Sequence, residues 1–382
     1  MSSRSRLDSA EARRAAEVVQ GVPGGDDSQT AAVPDPAGLV CPLPLDEYPA
    51  VTLAHGGGGK FSRMLTEKVF LAAFGPESLG QLHDGAVLEV GDERLAFSTD
   101  TFVIDPPFFP GGDIGALAVH GTVNDLAMCG ARPLVLSAGF ILEEGFPMED
   151  LWTLATSMQR AAERAGVRVV TGDTKVVDRG KGDGVFINTS GVGRIPDGVE
   201  IAPRRARPGD AVLVSGPIAT HGIAIMSVRE GLEFETALET DSAPLWPLVE
   251  SLMTALGPDL HVLRDPTRGG VASAVNEIAD SAGVGIRLDE AAIPVEDPVR
   301  GACEILGLDP LYVANEGKLV AIVAGDRAEY ALAALRAHPL GRDAAVIGTV
   351  TVDHPGRVFQ RSRIGGTRVV EMLSGEQLPR IC

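Results

Sequence analysis

From Val51 onward, short apolar runs alternate with longer segments in which apolar residues recur every three to four positions. Residues 87–90, 95–98, 134–142, 167–170 and 185–189 are rich in Val, Ile, Leu and Phe, which predicts strands. The spacing predicts helices over 61–74, 113–128 and 148–165, the last closed by Gly166 as the residue after the C-cap. A second unit opens at Arg207-Pro208-Gly209-Asp210, a turn that launches a strand over 211–214. Helices are expected there over 221–229, 244–256 and 269–281, then strands around Val320, Val346 and Val369. Alternation of this kind reads as α/β or α+β. The chain of 382 residues exceeds what one core usually serves, so two domains are expected, over 49–205 and 206–372. Residues 1–48, rich in Ala, Asp, Ser, Pro and Gly, read as a disordered extension. Residues 373–382 read as a mobile tail, because Gly375 and Pro379 discourage a helix.

Charge narrows the partners. A formal net charge of −19 disfavours nucleic acid and anionic membranes, which attract an excess of Lys and Arg. ATP bound by so acidic a chain would have to be met through backbone amides and metal ions, so Mg²⁺ is expected with it. The four cysteines, Cys41, Cys129, Cys303 and Cys382, form no C-x-x-C pair, which argues against a zinc site or a disulfide framework. Four arginines near the start precede no apolar run of signal-peptide length, and no stretch has the ~20 apolar residues of a membrane span. A cytoplasmic location is the expectation.

Candidate chemistry gathers at a few places. His55-Gly56-Gly57-Gly58-Gly59-Lys60 ahead of a helix can cradle phosphate with backbone amides, so Gly57, Gly58 and Lys60 are candidate nucleotide contacts. It is not a P-loop, since Ala54 and Phe61 replace that motif's first Gly and its hydroxyl residue. Aspartates stand at turns and strand ends: Asp84, Asp100, Asp125, Asp173 and Asp265. Caps and turns are the competing reading of each, yet Asn124-Asp125 lies in an otherwise apolar helix, where a carboxylate is costly unless paired or metal-bound. Gly172-Asp173-Thr174 adds a further candidate nucleotide contact. Lys175 and Glu316 each adjoin a run of small or apolar residues, where a charge could point into a cleft. Cys382 is the last residue, and a thiol on a swinging tail suits a covalent carrier, whereas Cys129 and Cys303 read as core.

The stretches Phe108-Phe109-Pro110-Gly111-Gly112-Asp113-Ile114, Gly121-Thr122-Val123-Asn124-Asp125-Leu126, Thr171-Gly172-Asp173-Thr174-Lys175, Asp265-Pro266-Thr267-Arg268-Gly269-Gly270 and the ending Pro379-Arg380-Ile381-Cys382 carry a resemblance. From Leu53 onward the chain resembles the HypE family of hydrogenase maturation factors, the carbamoyl dehydratases. That family lies within the superfamily of aminoimidazole ribonucleotide synthetase and selenophosphate synthetase. The resemblance implies a two-domain fold of that superfamily, with N-terminal domains pairing into a homodimer around a β-barrel-like core. It implies ATP and Mg²⁺, the carbamoyltransferase HypF as donor, and a HypC–HypD complex as cyanide acceptor. Cys382 would carry a thiocarbamate that ATP-dependent dehydration turns into a thiocyanate. Arg380 would favour the thiolate, Glu316 would be the base, and Lys175 would either stabilise phosphate charge or pair with Glu316. Asp84, Asp100, Asp125, Asp173 and Asp265 would hold metal. Two departures stand out: the family's Asp-Ala-Ala is Asp84-Gly85-Ala86 here, and the N-terminal extension is long. A selenophosphate synthetase-like phosphoryl transfer would need a thiol beside the glycine loop, which holds Lys60 instead. A non-catalytic thiol scaffold would have no use for buried carboxylates.

Overall fold

A computed structural model describes residues 50–74, 83–231, 238–375 and 380–381. The expected N-terminal extension, residues 376–379 of the tail and Cys382 itself lie outside the described residues.

The first helix, α1 (Lys60–Leu65), runs on through a π turn (Thr66–Phe70) into a last turn at Leu71–Phe74. The first sheet follows: β1 (Ala86–Val90), β2 (Glu93–Phe102), β5 (Arg132–Glu143), β6 (Arg168–Val177) and β7 (Val185–Ile195), with a two-residue hairpin of β3 (Phe108–Phe109) and β4 (Gly112–Asp113) between β2 and the next helix. Its order is β1-β2-β7-β5-β6, and only β5 and β6 run parallel. β7 alternates buried with half-buried or exposed positions almost throughout, the signature of a sheet with one face on a core.

Two helices cover that face. The first, α2 (Ile114–Met128), starts at an Asp113 N-cap whose carboxylate accepts from the Ala116 amide at 3.0 Å. The second, α3 (Met148–Ala165), ends at Gly166 with φ 70°, as its sequence predicts. α3 is amphipathic, with Leu154, Met158, Ala161 and Ala162 buried. By contrast, α2 is buried all round, because it is sandwiched between the first sheet and the second domain; Asp125 is its one residue not fully covered.

The second domain holds β8 (Ala211–Val214), α4 (Thr220–Arg229), α5 (Trp246–Leu256), β9 (Leu260–Arg264), α6 (Gly270–Ala282), β10 (Gly285–Asp289), α7 (Asp297–Leu306), β11 (Val320–Val323), α8 (Ala328–Arg336), β12 (Ala345–Thr351), β13 (Val358–Arg361) and β14 (Thr367–Val370). Its seven strands lie in the order β14-β13-β10-β12-β8-β11-β9. β8 and β11 are buried at every position, so they form the centre of this core and read as unbroken apolar runs.

Two boundaries differ from expectation. β6 extends to Val177, so Asp173 and Lys175 sit inside a strand, not beside it. The reason is pairing: β5 supplies partners from Val135 to Glu143, and the ladder overrides the turn propensity of Gly172-Asp173. Gly172 is needed there, since a Cβ would stand 2.1 Å from the Ala138 carbonyl. Within the chain the first sheet is also open, with β1 and β6 as its edges among the described residues, so one copy closes no barrel.

Candidate active site

Three chain segments bring acids together at the domain junction. Asp84 lies just before β1, Asp125 on the last turn of α2, and Asp265 at the turn between β9 and α6. One carboxylate oxygen from each lies within 4.8 Å of the other two. The Ser98 hydroxyl, inward-facing on β2, donates to Asp125 Oδ2 at 2.6 Å. Asp84 Oδ1 is paired with Arg264 Nε at 2.9 Å, and Arg264 also holds Glu277. Burial opposes the Arg264 charge, and these two carboxylates more than offset it, so the guanidinium is held firmly cationic. Asp100, on β2, faces Arg268 at 3.6 Å.

Electrostatics shows that more acids share the site. Burial drives the Asp125 carboxyl well above the usual range, and Asp265, Asp100 and Asp84 push it further. Asp265 is raised in the same way, by burial first and Asp84 second. Glu316, buried in the segment before β11, is raised by burial, Asp265, Asp100 and Asp241, with Arg268 opposing. Asp100 is raised by burial against Arg268. Repulsion between desolvated acids of this number is unfavourable unless a cation joins them.

The donor set fits such a cation. Asp84 Oδ2 is buried without a hydrogen-bond partner among the described residues. His83 Nδ1, 3.4 Å away, supplies no proton, because it accepts from the Asp84 amide at 2.8 Å. An acceptor left open among all-oxygen ligands suits a hard divalent ion of the Mg²⁺ class and not zinc. Asp84 and Asp265 also line a cavity of about 310 Å³ under the glycine loop.

The loop is packed tightly over the Asp265 turn. Gly58 has φ 72°, and a Cβ there would come within 2.5 Å of Arg268 Cβ. The Gly58 amide donates to Ser62 Oγ at 2.9 Å, and Arg268 donates to the Gly56 carbonyl at 3.0 Å. Gly56 and Gly57 also border a second cavity of about 610 Å³, whose other walls include Arg268, Tyr312, Arg380 and Ile381. The tail and the glycine loop thus face one space.

The tail residues that are described are docked. Ile381 is 3% exposed, joins the core of the first domain and forms an antiparallel bridge with Ile104. Its carbonyl lies 2.7 Å from His221 Nε2. Arg380 reaches Asp183 at 2.9 Å and Asp105 at 3.7 Å. A mobile tail was the expectation from Gly375 and Pro379; the apolar side chain of Ile381 finds a buried socket that no local pattern reveals.

Other expected contacts fall elsewhere. Lys60 Nζ pairs with Glu371 at 2.9 Å on the surface, because its amide is tied to the Leu373 carbonyl at 2.8 Å and the side chain leaves outward. Asn124 directs its amide group to backbone, accepting from Leu245 N at 2.8 Å and donating to the carbonyls of Ala243 and Glu316 at 3.0 and 3.2 Å; it joins the domains and has no lone group for a ligand. Asp173, Thr174 and Lys175 lie on the exposed edge strand, outside the cluster. There Lys175 pairs with Asp173 at 3.0 Å, which lowers the Asp173 carboxyl, and Asp173 accepts from the Thr174 amide at 2.9 Å. A Lys175–Glu316 pair is thereby replaced by Lys175–Asp173 within one chain. Sequence reasoning passed over Ser98, Arg264, Arg268 and His221; only Arg268, in the Asp265-Pro266-Thr267-Arg268-Gly269-Gly270 turn, carried a signal.

The chain has relatives. The N-terminal domain of the AIR synthase related proteins matches residues 82–195, and their C-terminal domain matches 207–360. The carbamoyl dehydratase HypE of Azotobacter vinelandii is 56% identical over 333 residues, covering 87% of this chain and 97% of that protein. HypE of Escherichia coli K12 is 49% identical over 337 residues, 87% of this chain and 99% of its own length. A crystal structure of HypE in complex with ATP superposes with a TM-score of 0.74 at 51% identity, covering 87% of this chain and all of that one. A crystal structure of a HypE–HypF complex gives 0.77 at 48%, over 81% of this chain and 99% of that chain.

Proposed function

The chain belongs to the carbamoyl dehydratase HypE family, and from that premise we propose that it uses ATP to convert a thiocarbamate on Cys382 into a thiocyanate for hydrogenase maturation. The observation that carries this reading is the docked tail: Ile381, next to Cys382, lies on the same cavity as the glycine loop and Arg268, beside the carboxylate cluster.

The reaction divides into two steps. The carbamoyl oxygen takes the γ-phosphoryl group of ATP, which makes it a leaving group and releases ADP. Loss of the nitrogen protons and expulsion of phosphate then leave S–C≡N on the cysteine. Asp84, Asp125 and Asp265 would hold Mg²⁺, with Asp100 at the rim, and the ion would neutralise triphosphate charge. Arg268 stands against Asp100 at the cavity wall and can exchange that partner for a phosphate oxygen, for which its planar donor array is suited. Glu316, as its carboxylate, is the base that takes one nitrogen proton, and the other leaves to solvent. Its buried site raises its proton affinity, which matches the demand of that step. Arg380, bonded to Asp183, positions the tail, and Gly57 and Gly58 let the loop backbone approach phosphate. Binding the substrate to the chain's own end removes the entropic cost of capturing it, on the order of 7 kcal/mol when alignment is good.

Partners follow from the same premise. The structure of a HypE–HypF complex supports HypF as the carbamoyl donor, and a HypC–HypD complex is the acceptor we propose. The open first sheet supports a homodimer. Asp173 and Lys175 lie on its exposed edge, so they enter the chemistry across that interface. No described helix is long and apolar enough to cross a membrane, and we place the protein in the cytoplasm. The test is intact-mass analysis of HypF-carbamoylated protein given Mg²⁺-ATP. Loss of one water from the C-terminal peptide is expected; ATP hydrolysis with the carbamoyl group still intact would refute the proposal.

A further inference from the structure

His221 has no part in the carboxylate cluster, yet its side chain is fully buried and both ring nitrogens are used. The Thr240 hydroxyl oxygen accepts from the Ser242 amide at 3.1 Å and lies 2.7 Å from His221 Nδ1. The Ile381 carbonyl, 2.7 Å from Nε2, can only accept, so the ring proton sits on Nε2 and Nδ1 accepts from the Thr240 hydroxyl. Burial lowers the basicity of the ring, so the imidazole is neutral with its proton on Nε2. The Nε2 proton is donated to the Ile381 carbonyl at 2.7 Å, one residue before the carrier cysteine. Phe109 closes the ring edge-on, with centroids 5.9 Å apart, and leaves it little freedom.

The helix bearing His221 is itself braced against the reaction centre. Ala219, at the N-cap of α4, has φ 75°, a left-handed conformation that non-glycine residues rarely adopt. Its amide donates to Asn315 Oδ1 at 2.7 Å. Asn315, completely buried, donates in turn to the carbonyls of Pro266 and Val313 at 3.0 Å. Asn315, itself the residue before Glu316, thus joins the tail-holding helix to the turn after Asp265. Arg229, at the far end of the same helix, donates to the carbonyls of Asp105 and Arg380. The tail is held from α4 at two successive carbonyls, those of Arg380 and Ile381.

We propose that His221 is a tail-positioning residue: its Nε2 proton, fixed by Thr240, registers the Ile381 carbonyl and so sets where Cys382 is presented to the nucleotide. This rests on the function proposed above. It predicts that His221 governs the dehydration step and the exposure of the terminal thiol, while leaving ATP binding and carbamoyl transfer alone.

The test compares the full-length protein with H221F, which keeps ring volume without a donor, and H221Q, whose amide can replace the Nε2 donor. Maleimide labelling of each cysteine is followed by peptide mass analysis. Single-turnover conversion of the carbamoylated protein is measured at saturating Mg²⁺-ATP. In H221F, Cys382 labelling is expected to rise about tenfold and conversion to fall about tenfold, the equivalent of one hydrogen bond of ~1.4 kcal/mol. H221Q should recover most of both. Cys129 and Cys303, buried in the two domains, report folding and should stay unlabelled. Equal Cys382 labelling and equal conversion in H221F and the native protein would overturn the proposal, as would faster labelling of Cys129 and Cys303 along with Cys382, which signals general loosening. Should H221F fail to fold, T240V carries the test, with acceleration at Cys382 alone expected and none refuting. If the native protein itself loses no water with ATP, the function fails while the labelling experiment still decides whether His221 holds the tail.

Discussion

Replacing Asp125 with Asn should make the metal-free protein more stable and the magnesium-loaded protein less active. In the absence of a cation, Asp125 shares a 4.8 Å neighbourhood with Asp84 and Asp265. At that separation, and an effective dielectric of about 20, each pair of ionised carboxylates repels by ~3.5 kcal/mol. Burial and its acidic neighbours raise the Asp125 carboxyl, so proton uptake relieves part of this repulsion and the gain on substitution is smaller, on the order of 1–2 kcal/mol. Asn keeps an oxygen for the Ser98 hydroxyl, so that bond survives. With Mg²⁺ at a hundred times its dissociation constant, the native site gains ~2.7 kcal/mol, and a tenfold loss of affinity in the variant removes ~1.4 of that. Thermal denaturation in EDTA and in Mg²⁺ measures both terms. A D125N protein that melts lower than native in EDTA, or gains as much from Mg²⁺, would refute the ligand assignment. The pH dependence carries the same sign. Asp125, Asp265 and Glu316 all have folded values raised above their unfolded ones. The stability they contribute is therefore complete below the ordinary carboxylate range and lost as pH rises through the raised values. Metal-free protein should weaken over that interval, and D125N should flatten the loss.

Further substitutions separate the remaining roles. E316Q should bind Mg²⁺-ATP normally but lower single-turnover water loss roughly 100-fold, the scale of a positioned general base; unchanged conversion would remove Glu316 from that role. C382A should bind nucleotide like the native chain and donate no cyanide, checked by calorimetry and by assay with the acceptor complex. G58A forces a Cβ against Arg268 in a left-handed backbone conformation, so calorimetric affinity for ATP should fall by about tenfold or more, with melting temperature less affected.

Much of the site was legible because its residues break local rules. Asp125 in an otherwise apolar helix is out of place by propensity alone, whereas Asp265, at a strand end before Pro-Thr-Arg-Gly-Gly, is marked only by its company. Where the decisive interaction lies far along the chain, no local signal exists. Arg264 meets Asp84 across about 180 residues of sequence, and the socket of Ile381 is built from Ile104, His221 and the first core. Lys60 follows the glycines directly, which makes it a candidate contact, but its side chain turns outward to Glu371. The strand over 167–170 runs on to Val177 because β5 holds the turn formers Gly172 and Asp173 extended.

Both outer strands of the first sheet leave apolar side chains in water, Val87, Leu88 and Val90 on one and Val169, Val170 and Val176 on the other. The homodimer proposed above would cover such edges, and its population would follow protein concentration by mass action. Dilution is therefore a hidden experimental variable. Specific activity measured at nanomolar and at micromolar protein would describe different populations, and only a titration over both ranges makes two rates comparable.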